Sequence, residues 1–369
     1  MRVFFFANTD WYLYNYRLRL AEALKKEGHE VLLLSPAGKF ASKIQAAGFS
    51  WQPFDLSRSG VNPIREILTI HRLIQLYRRE KPDLVHHFTS KCVLYGSIAA
   101  RWAGVKRIVN AITGMGYVFT RNTLLPSIIK PFVILLYKIA LRNSKVIFQN
   151  QCDLNYFIHN NLAKPQQCTL IPGSGVDIEH FEPSLTPKGD ALVVLPARML
   201  WDKGVGEFVD AARLVKSSGI KVRFILVGTP DEGNPTSISK AQLRAWQASG
   251  LVEWWGWQED MVKVYQQASV VCLPSYREGL AKSLIEAAAC GRPLVASDIP
   301  GCREVVENGR NGLLVTPHDA QSISTALLKL LSDKKLMVRM SKESRQIAVN
   351  KFSVNKINSM TLDIYNIYN

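Results

Sequence analysis

The stretch that constrains this chain most is an apolar strand run straight into a helix. Ser269-Val-Val-Cys-Leu273 has no polar alternation, so it reads as a strand buried on both faces of a parallel sheet. Pro274-Ser-Tyr-Arg-Glu278-Gly-Leu-Ala-Lys-Ser-Leu-Ile-Glu286 follows, and Ala287-Ala-Ala-Cys290 carries good helix-forming sequence to a stop at Gly291 and Pro293. Glu278 therefore falls in the turn where the strand ends, and Glu286 two turns into the helix. Eight residues at 1.5 Å each separate the two carboxylates by roughly 12 Å of helix axis. That span suits a ligand with a sugar at one end and a ribose at the other. The helix start between them, Gly279-Leu280-Ala281-Lys282, offers backbone N–H groups and partial positive charge to phosphate.

The same unit recurs along the chain. Val3-Phe-Phe-Phe-Ala7 is a buried strand, Asn8-Thr9-Asp10 a polar loop with Asp10 as a helix N-cap, and a helix runs to about Glu27 before Val31-Leu-Leu-Leu34. Arg65 to Arg79 reads as an amphipathic helix. Asp83 to Phe88 is a strand leading into Thr89-Ser90-Lys91, and Arg107 to Ile112 a strand leading into Thr113-Gly114-Met115-Gly116. The pattern restarts at Leu192 to Pro196, followed by Ala197-Arg198-Met-Leu-Trp-Asp-Lys203-Gly204 and a helix opening near Val205; Val222 to Val227 ends in Gly228. The first loop has no G-x-G-x-x-G, which argues against NAD or FAD there. Ligands of open α/β sheets sit beyond the carboxyl ends of the strands, so Asn8, Thr9 and Asp10 are candidates for acceptor contact, with Lys91, Thr113, Gly114 and Gly116 on the neighbouring loops. For the Asn8-Thr9-Asp10-Trp11-Tyr12 loop, a plain helix cap with core aromatics is an equal alternative. His86 and His87 at a strand end favour a structural role.

Pro274 to Val306 resembles the signature of the family 4 retaining glycosyltransferases, in the branch that extends lipid-linked sugars in capsule, O-antigen and related glycan pathways. The resemblance implies the GT-B fold: two Rossmann-like α/β domains with parallel sheets facing a cleft, and a last helix that crosses back to the first domain. It implies an acceptor-binding domain over 1–172, a nucleotide-sugar domain over 190–352 and a returning helix over 353–369, with Pro183 to Gly189 as linker. Leu170 to Asp177 resembles the family's "P-N-G-V-D" junction, with Ser174 where Asn is usual. Arg198 and Lys203 match the "GR…KG" loop that brings two cations onto the donor diphosphate, with Ala197 in place of Gly. Glu286 falls to the ribose hydroxyls, Glu278 to the donor sugar, and Gly228 lies near the nucleotide. Where relatives place a His that contacts the donor sugar, this chain has Thr113, so no histidine role carries over.

The family chemistry is transfer from a UDP-sugar, UDP being an analogy, with retention at the anomeric carbon. Glu278, Arg198 and Lys203 are the expected catalytic set, and Glu286, Gly279, Leu280, Ala281, Lys282 and Gly228 the expected donor set. No Asp-x-Asp pair offers itself to a metal, and neither a metal nor any cofactor beyond the UDP-sugar co-substrate is expected. No obvious nucleophile is present, which favours front-side attack.

Charge bears on the partner. The 369 residues carry a formal net charge of +16. From Leu84 to Cys152 there is no Asp or Glu, against nine cations: Lys91, Arg101, Lys106, Arg107, Arg121, Lys130, Lys138, Arg142 and Lys145. Such a tract favours an anionic partner. Within it, 124–141 is the most apolar stretch. Two lysines inside it, at about 2.5–3.5 kcal/mol each at a bilayer centre, disfavour spanning. An in-plane helix fits better, with Arg121, Lys130, Lys138 and Arg142 facing an anionic membrane surface; an ordinary core helix is the alternative. Six cysteines form no CxxC pair, and Met1-Arg2 leads directly into an apolar run too short for a signal peptide. A cytoplasmic enzyme, peripheral on the inner membrane face, is expected to extend a polyprenyl-diphosphate-linked saccharide. The rivals are a transferase to a soluble acceptor, a nucleotide-sugar epimerase of the same fold, and a nucleic-acid binder. The last lacks any RRM, KH or helix-turn-helix pattern.

Overall fold

The computed structural model describes residues 1–57, 62–114, 124–184 and 189–366. The chain folds into two units, Met1–Ser174 with Lys356–Asn369, and Gly175–Asn355. The change of unit thus falls at Ser174–Gly175, and Ser184 of the expected linker sits inside the second unit, where the Arg292 guanidinium donates to its Oγ at 2.6 Å.

The first unit is a parallel sheet of seven strands: β1 (Arg2–Phe6), β2 (Glu30–Ser35), β3 (Ser50–Pro53), β4 (Leu84–Phe88), β5 (Arg107–Ile112), β6 (Lys145–Phe148) and β7 (Cys168–Leu170), in the order β3-β2-β1-β4-β5-β6-β7. Val3 pairs with Val31 on one side and Leu84 on the other. Phe4 and Phe6 pack into one face of the sheet, Val3 and Phe5 into the other, which is why this strand shows no polar alternation. The second unit has six: β8 (Ala191–Pro196), β9 (Val222–Val227), β10 (Glu253–Gly256), β11 (Val270–Leu273), β12 (Leu294–Ser297) and β13 (Gly312–Val315), in the order β10-β9-β8-β11-β12-β13. Strand order reverses direction between β1 and β4 in one unit and between β8 and β11 in the other. Those are the two switch points at which doubly wound sheets open a crevice.

Several expectations are corrected locally. The N-cap of the first helix is Thr9, whose Oγ1 accepts from Tyr12 N at 3.1 Å. Asp10 is buried, and its carboxylate accepts from Phe40 N at 2.7 Å and Ala41 N at 2.9 Å, opening the helix Ala41–Ala46. The run to Glu27 is not one α-helix: Leu13–Arg17 is π-helical and α-helix resumes at Leu18–Lys26. Gly309-Arg-Asn-Gly312, which reads as a hairpin-like turn in the sequence, feeds a strand parallel to β12. After Val315 the sequence reads as two helices, the second from Ser353 to Ile367; the structure has three, Ala320–Ser332, Lys334–Phe352 and Val354–Asn366. Asp333 separates the first two, its side chain accepting from Leu336 N at 2.9 Å. The last helix buries Ile357, Ile364 and Tyr365 in the core of the first unit.

Candidate active site

At the β8–β11 switch point the carboxyl ends of four strands are fastened together. Gly204, with φ +70°, lets the loop after β8 pass so close that a Cβ there would stand 2.1 Å from Pro274 O. Gly228, with φ +138°, meets the same limit at 2.0 Å from Ala197 O. A Cβ on Gly301, after β12, would lie 2.3 Å from Glu278 O. Tyr276 N donates to Asp202 O at 2.9 Å, and the Tyr276 hydroxyl donates to Glu207 Oε1 at 2.6 Å. The result is a rigid seat for two side chains far apart in sequence.

Those two are Lys203 and Glu278. Lys203 Nζ stands 2.5 Å from Glu278 Oε1, and Ser275 Oγ donates to the same oxygen at 2.8 Å. Their side chains keep only 18% and 12% of their surface. Glu278 Oε2 has no hydrogen-bond partner among the described residues, so one oxygen is spoken for and the other is open to a ligand hydroxyl.

The helix Lys282–Ala289 begins one turn on, and no side chain caps it, since its N-cap is Ala281. Ala281 packs into the core with Leu280 against it, leaving backbone rather than side chain to meet a ligand. Glu286 lies on this helix, receiving the Tyr265 hydroxyl at 3.1 Å on Oε2, with Lys282 Nζ at 3.8 Å from Oε1. Burial raises its pKa, partly offset by Lys282 and Tyr265.

Arg198 is placed differently. Its guanidinium is half exposed and pairs with Asp231 beyond β9 rather than joining the Lys203–Glu278 cluster. Ser275, Tyr265, Tyr276, Glu207 and Asp231 have no part in the sequence-based site. Ser275 and Tyr276 stand beside Glu278 in the chain, whereas Tyr265, Glu207 and Asp231 are distant positions whose partners only folding supplies.

In the first unit, the Thr9 side chain caps its own helix, and the Asp10 carboxylate holds the start of the helix Ala41–Ala46. Asn8 is half-buried at the end of β1. Lys91 is tied down, its Nζ at 2.8 Å from Glu66 Oε1 and donating to Ser57 O at 2.9 Å. Thr113 and Gly114, the latter at φ +145°, follow β5 and are half-buried; Gly116 and Arg121 lie outside the described residues. His86 and His87 are buried in the first unit. His86 Nδ1 is 2.5 Å from the Tyr365 hydroxyl, and His87 bridges Tyr77 and Asn110 at 3.2 and 3.0 Å.

The helix Leu124–Ala140 buries Tyr137 and Ala140, with Leu141 just beyond its end, and shows the opposite face. There Phe132, Leu135 and Ile139 are 62%, 53% and 47% exposed, with Lys138 and Arg142 exposed nearby and Lys130 half-buried. Among the described residues no helix is long and apolar enough to cross a membrane.

Residues 2–151 match the family model described as glycosyl transferase 4-like, and residues 176–347 match glycosyl transferases group 1. The chain belongs to these glycosyltransferases. Similar to it is the N,N'-diacetylbacillosaminyl-diphospho-undecaprenol alpha-1,3-N-acetylgalactosaminyltransferase of Campylobacter jejuni, 28% identical over 99% of this chain and 98% of that one. The UDP-Gal:alpha-D-GlcNAc-diphosphoundecaprenol alpha-1,3-galactosyltransferase of Escherichia coli is 28% identical over 83% and 80%. Among solved structures, Anabaena HepE in complex with UDP superposes with a TM-score of 0.80 at 20% identity, over 99% of this chain and 100% of that one. Sucrose-phosphate synthase of Thermosynechococcus elongatus gives 0.80 at 18%, over 100% and 99%. The glycosyltransferase has the GT-B fold, with two Rossmann-like halves.

Proposed function

We propose that this glycosyltransferase moves a sugar, an N-acetylhexosamine or related hexose, from UDP to a polyprenyl-diphosphate-linked saccharide. Transfer proceeds with retention, at the cytoplasmic membrane face, in assembly of a bacterial surface polysaccharide or glycan. The observation that carries it is the Lys203–Glu278–Ser275 cluster at the β8–β11 switch point, with Glu286 two turns down the adjoining helix. In this reading Glu286 accepts the two ribose hydroxyls. The uncapped start of the helix Lys282–Ala289 and Gly279 meet the diphosphate, and Lys203 and Arg198 balance the charge that develops as the sugar–phosphate bond breaks. The open oxygen of Glu278 takes a hydroxyl of the donor sugar. With cations and a helix start in that role, the leaving group needs no metal. Both the C. jejuni and the E. coli relatives carry diphospho-undecaprenol acceptors in their names, which supports a lipid-linked acceptor here. The exposed Phe132, Leu135 and Ile139 beside Lys138 and Arg142 support docking on an anionic membrane.

The test is a panel of UDP- and GDP-sugars incubated with an undecaprenyl-diphosphate-linked monosaccharide in detergent, the product linkage read by the NMR coupling at the anomeric centre. Consumption of a UDP-sugar only when the lipid acceptor is present, with an axial new linkage from an axial donor, is the expected result. Isomerisation of a nucleotide sugar without acceptor, or transfer only to soluble sugars, overturns it.

A further inference from the structure

The first unit holds a buried cation that no carboxylate among the described residues balances. Arg17 is 5% exposed, yet no carboxylate among the described residues pairs with it. Its Nε and Nη2 donate to a single acceptor, the Tyr12 hydroxyl, at 3.2 and 2.8 Å. Nη1 has no hydrogen-bond partner among the described residues. The guanidinium rests on two rings, 4.3 Å above Phe88 and 5.5 Å from Tyr12. Cation–π contact offsets part of the desolvation of a charge but does not neutralise it. The π-helical segment Leu13–Arg17 sets this up: a π-turn brings residues five apart onto one face, and Arg17 thereby meets Tyr12.

Phe88 is the last residue of β4, so the guanidinium lies at the carboxyl end of that strand, beside β1, at the switch point of this unit. The next residue is independently unusual. Thr89 sits at φ +71°, ψ 152°, a strained region for a β-branched residue. It is the N-cap of the thirteen-residue helix Ser90–Trp102 but does not cap it. Its hydroxyl is buried, and among the described residues its one polar partner is the weakly polar Cys92 thiol. A buried arginine with no described carboxylate partner thus packs on the last residue of β4, and a hydroxyl with only a thiol for partner and a helix start without a side-chain cap follow in the next two residues. Lys91 does not compete for a ligand there, being paired with Glu66.

We infer that Arg17, the Thr89 hydroxyl and the amino end of the helix Ser90–Trp102 form a phosphoryl-anion site, one that takes the diphosphate of the acceptor. The inference rests on the acceptor reading above. It fixes which part of the acceptor the first unit grips: the diphosphate, rather than the sugar or the polyprenyl tail. A guanidinium is suited to this, giving two parallel hydrogen bonds to phosphoryl oxygens, while the helix start adds N–H groups and partial positive charge.

The experiment uses the full-length protein with UDP at saturation, so that the donor site is filled. Undecaprenyl diphosphate and undecaprenol in the same detergent micelles, and a hexose 1-phosphate in solution, are titrated by calorimetry and by the rise in melting temperature. Wild type should bind undecaprenyl diphosphate about 10- to 100-fold more tightly than undecaprenol, the range of a charge-assisted pair, and Arg17→Met should abolish that difference. Removing an unbalanced buried charge should not lower the melting temperature of the ligand-free protein. Thr89→Val, which keeps the shape, should weaken diphosphate binding several-fold without loss of stability. Should Arg17→Met fail to fold, Thr89→Val decides alone. If the hexose 1-phosphate binds in an Arg17-dependent way and the lipid does not, the anion site stands while the lipid-linked acceptor reading falls. If wild type binds undecaprenyl diphosphate and both variants bind it equally well, the site is wrong and the acceptor reading survives. If wild type binds none of these anions, both fall.

Discussion

Lys203→Met is the sharpest probe of the second unit. In wild type the Lys203–Glu278 pair is more than four-fifths buried on both sides, with Ser275 as the other described partner of the carboxylate. An exposed pair is worth about 0–1 kcal/mol, whereas removing one member of a buried pair costs about 3–5 kcal/mol because the other charge is left unpaired. With a small fraction still exposed, about 2–3 kcal/mol is expected. For a unit spanning residues 175–355, each kcal/mol shifts the midpoint by about 2–4 °C, so the melting temperature of that unit should fall by about 4–12 °C in calorimetry. Adding Glu278→Gln to the variant removes the stranded charge and should restore at least half of the loss, giving a coupling energy of about 1.5 kcal/mol or more in the double-mutant cycle. Transfer should stay abolished in both. If Lys203→Met melts within about 1 °C of wild type, or the two changes prove additive, the pair is solvated. The claim that these side chains are held in register for the donor then fails with it.

Three further outcomes are expected. Glu286→Gln should weaken UDP about 10- to 100-fold, since a charged acceptor of two hydrogen bonds becomes a neutral one. Because burial raises the Glu286 pKa, its ionised form is penalised above the ordinary carboxylate range, and the variant's relative melting temperature should rise, not fall, from about pH 4.5 to 8. The His86 and His87 imidazoles are depressed chiefly by burial, His87 to about 4; the stability that His87 contributes is complete above about pH 6.5 and lost as pH falls toward 4. For His87 alone that is about 3 kcal/mol, so a first-unit transition flat between about pH 6.5 and 4.5 would refute it. Gly228→Ala forces a Cβ to 2.0 Å from Ala197 O and should both lower stability by more than about 1 kcal/mol and blunt the UDP-induced rise in melting temperature.

How much of this was legible in the sequence follows from the range over which each feature is determined. Parallel strands buried on both faces announce themselves as uniform apolar runs, so β1, β8 and β11 could be read directly. The positions of Lys203, Glu278 and Glu286 were readable too, because strand ends and helix starts are local. Their partners were not. Lys203 and Glu278 are 75 residues apart in the chain, and nothing in either neighbourhood encodes the contact. Asp10 looked like the cap of its own helix, yet it serves one that starts 31 residues later, because Thr9 is better placed for the nearer N–H. The helix break at Asp333 was a missed local signal: an Asp at an N-cap needs no Gly or Pro to interrupt a helical run.

The shared oxygen of Glu278 has a consequence for the proposed reaction. Lys203 and Ser275 both bind Oε1, so Glu278 is fixed in position before any donor arrives while Oε2 remains available. A donor diphosphate draws Lys203 toward itself and thereby loosens its hold on Glu278. A sugar hydroxyl donating to the same carboxylate compensates for that loss, and UDP alone cannot. The lysine contact to the diphosphate and the glutamate contact to the sugar are therefore coupled in sign: each is stronger when the other is made. Binding energy from the sugar is then spent on freeing the cation for the leaving group, the group whose charge grows as the bond breaks. The preference for UDP-sugar over UDP should accordingly shrink in Glu278→Gln. There Lys203 is already free, and the diphosphate gains its cation without help from the sugar.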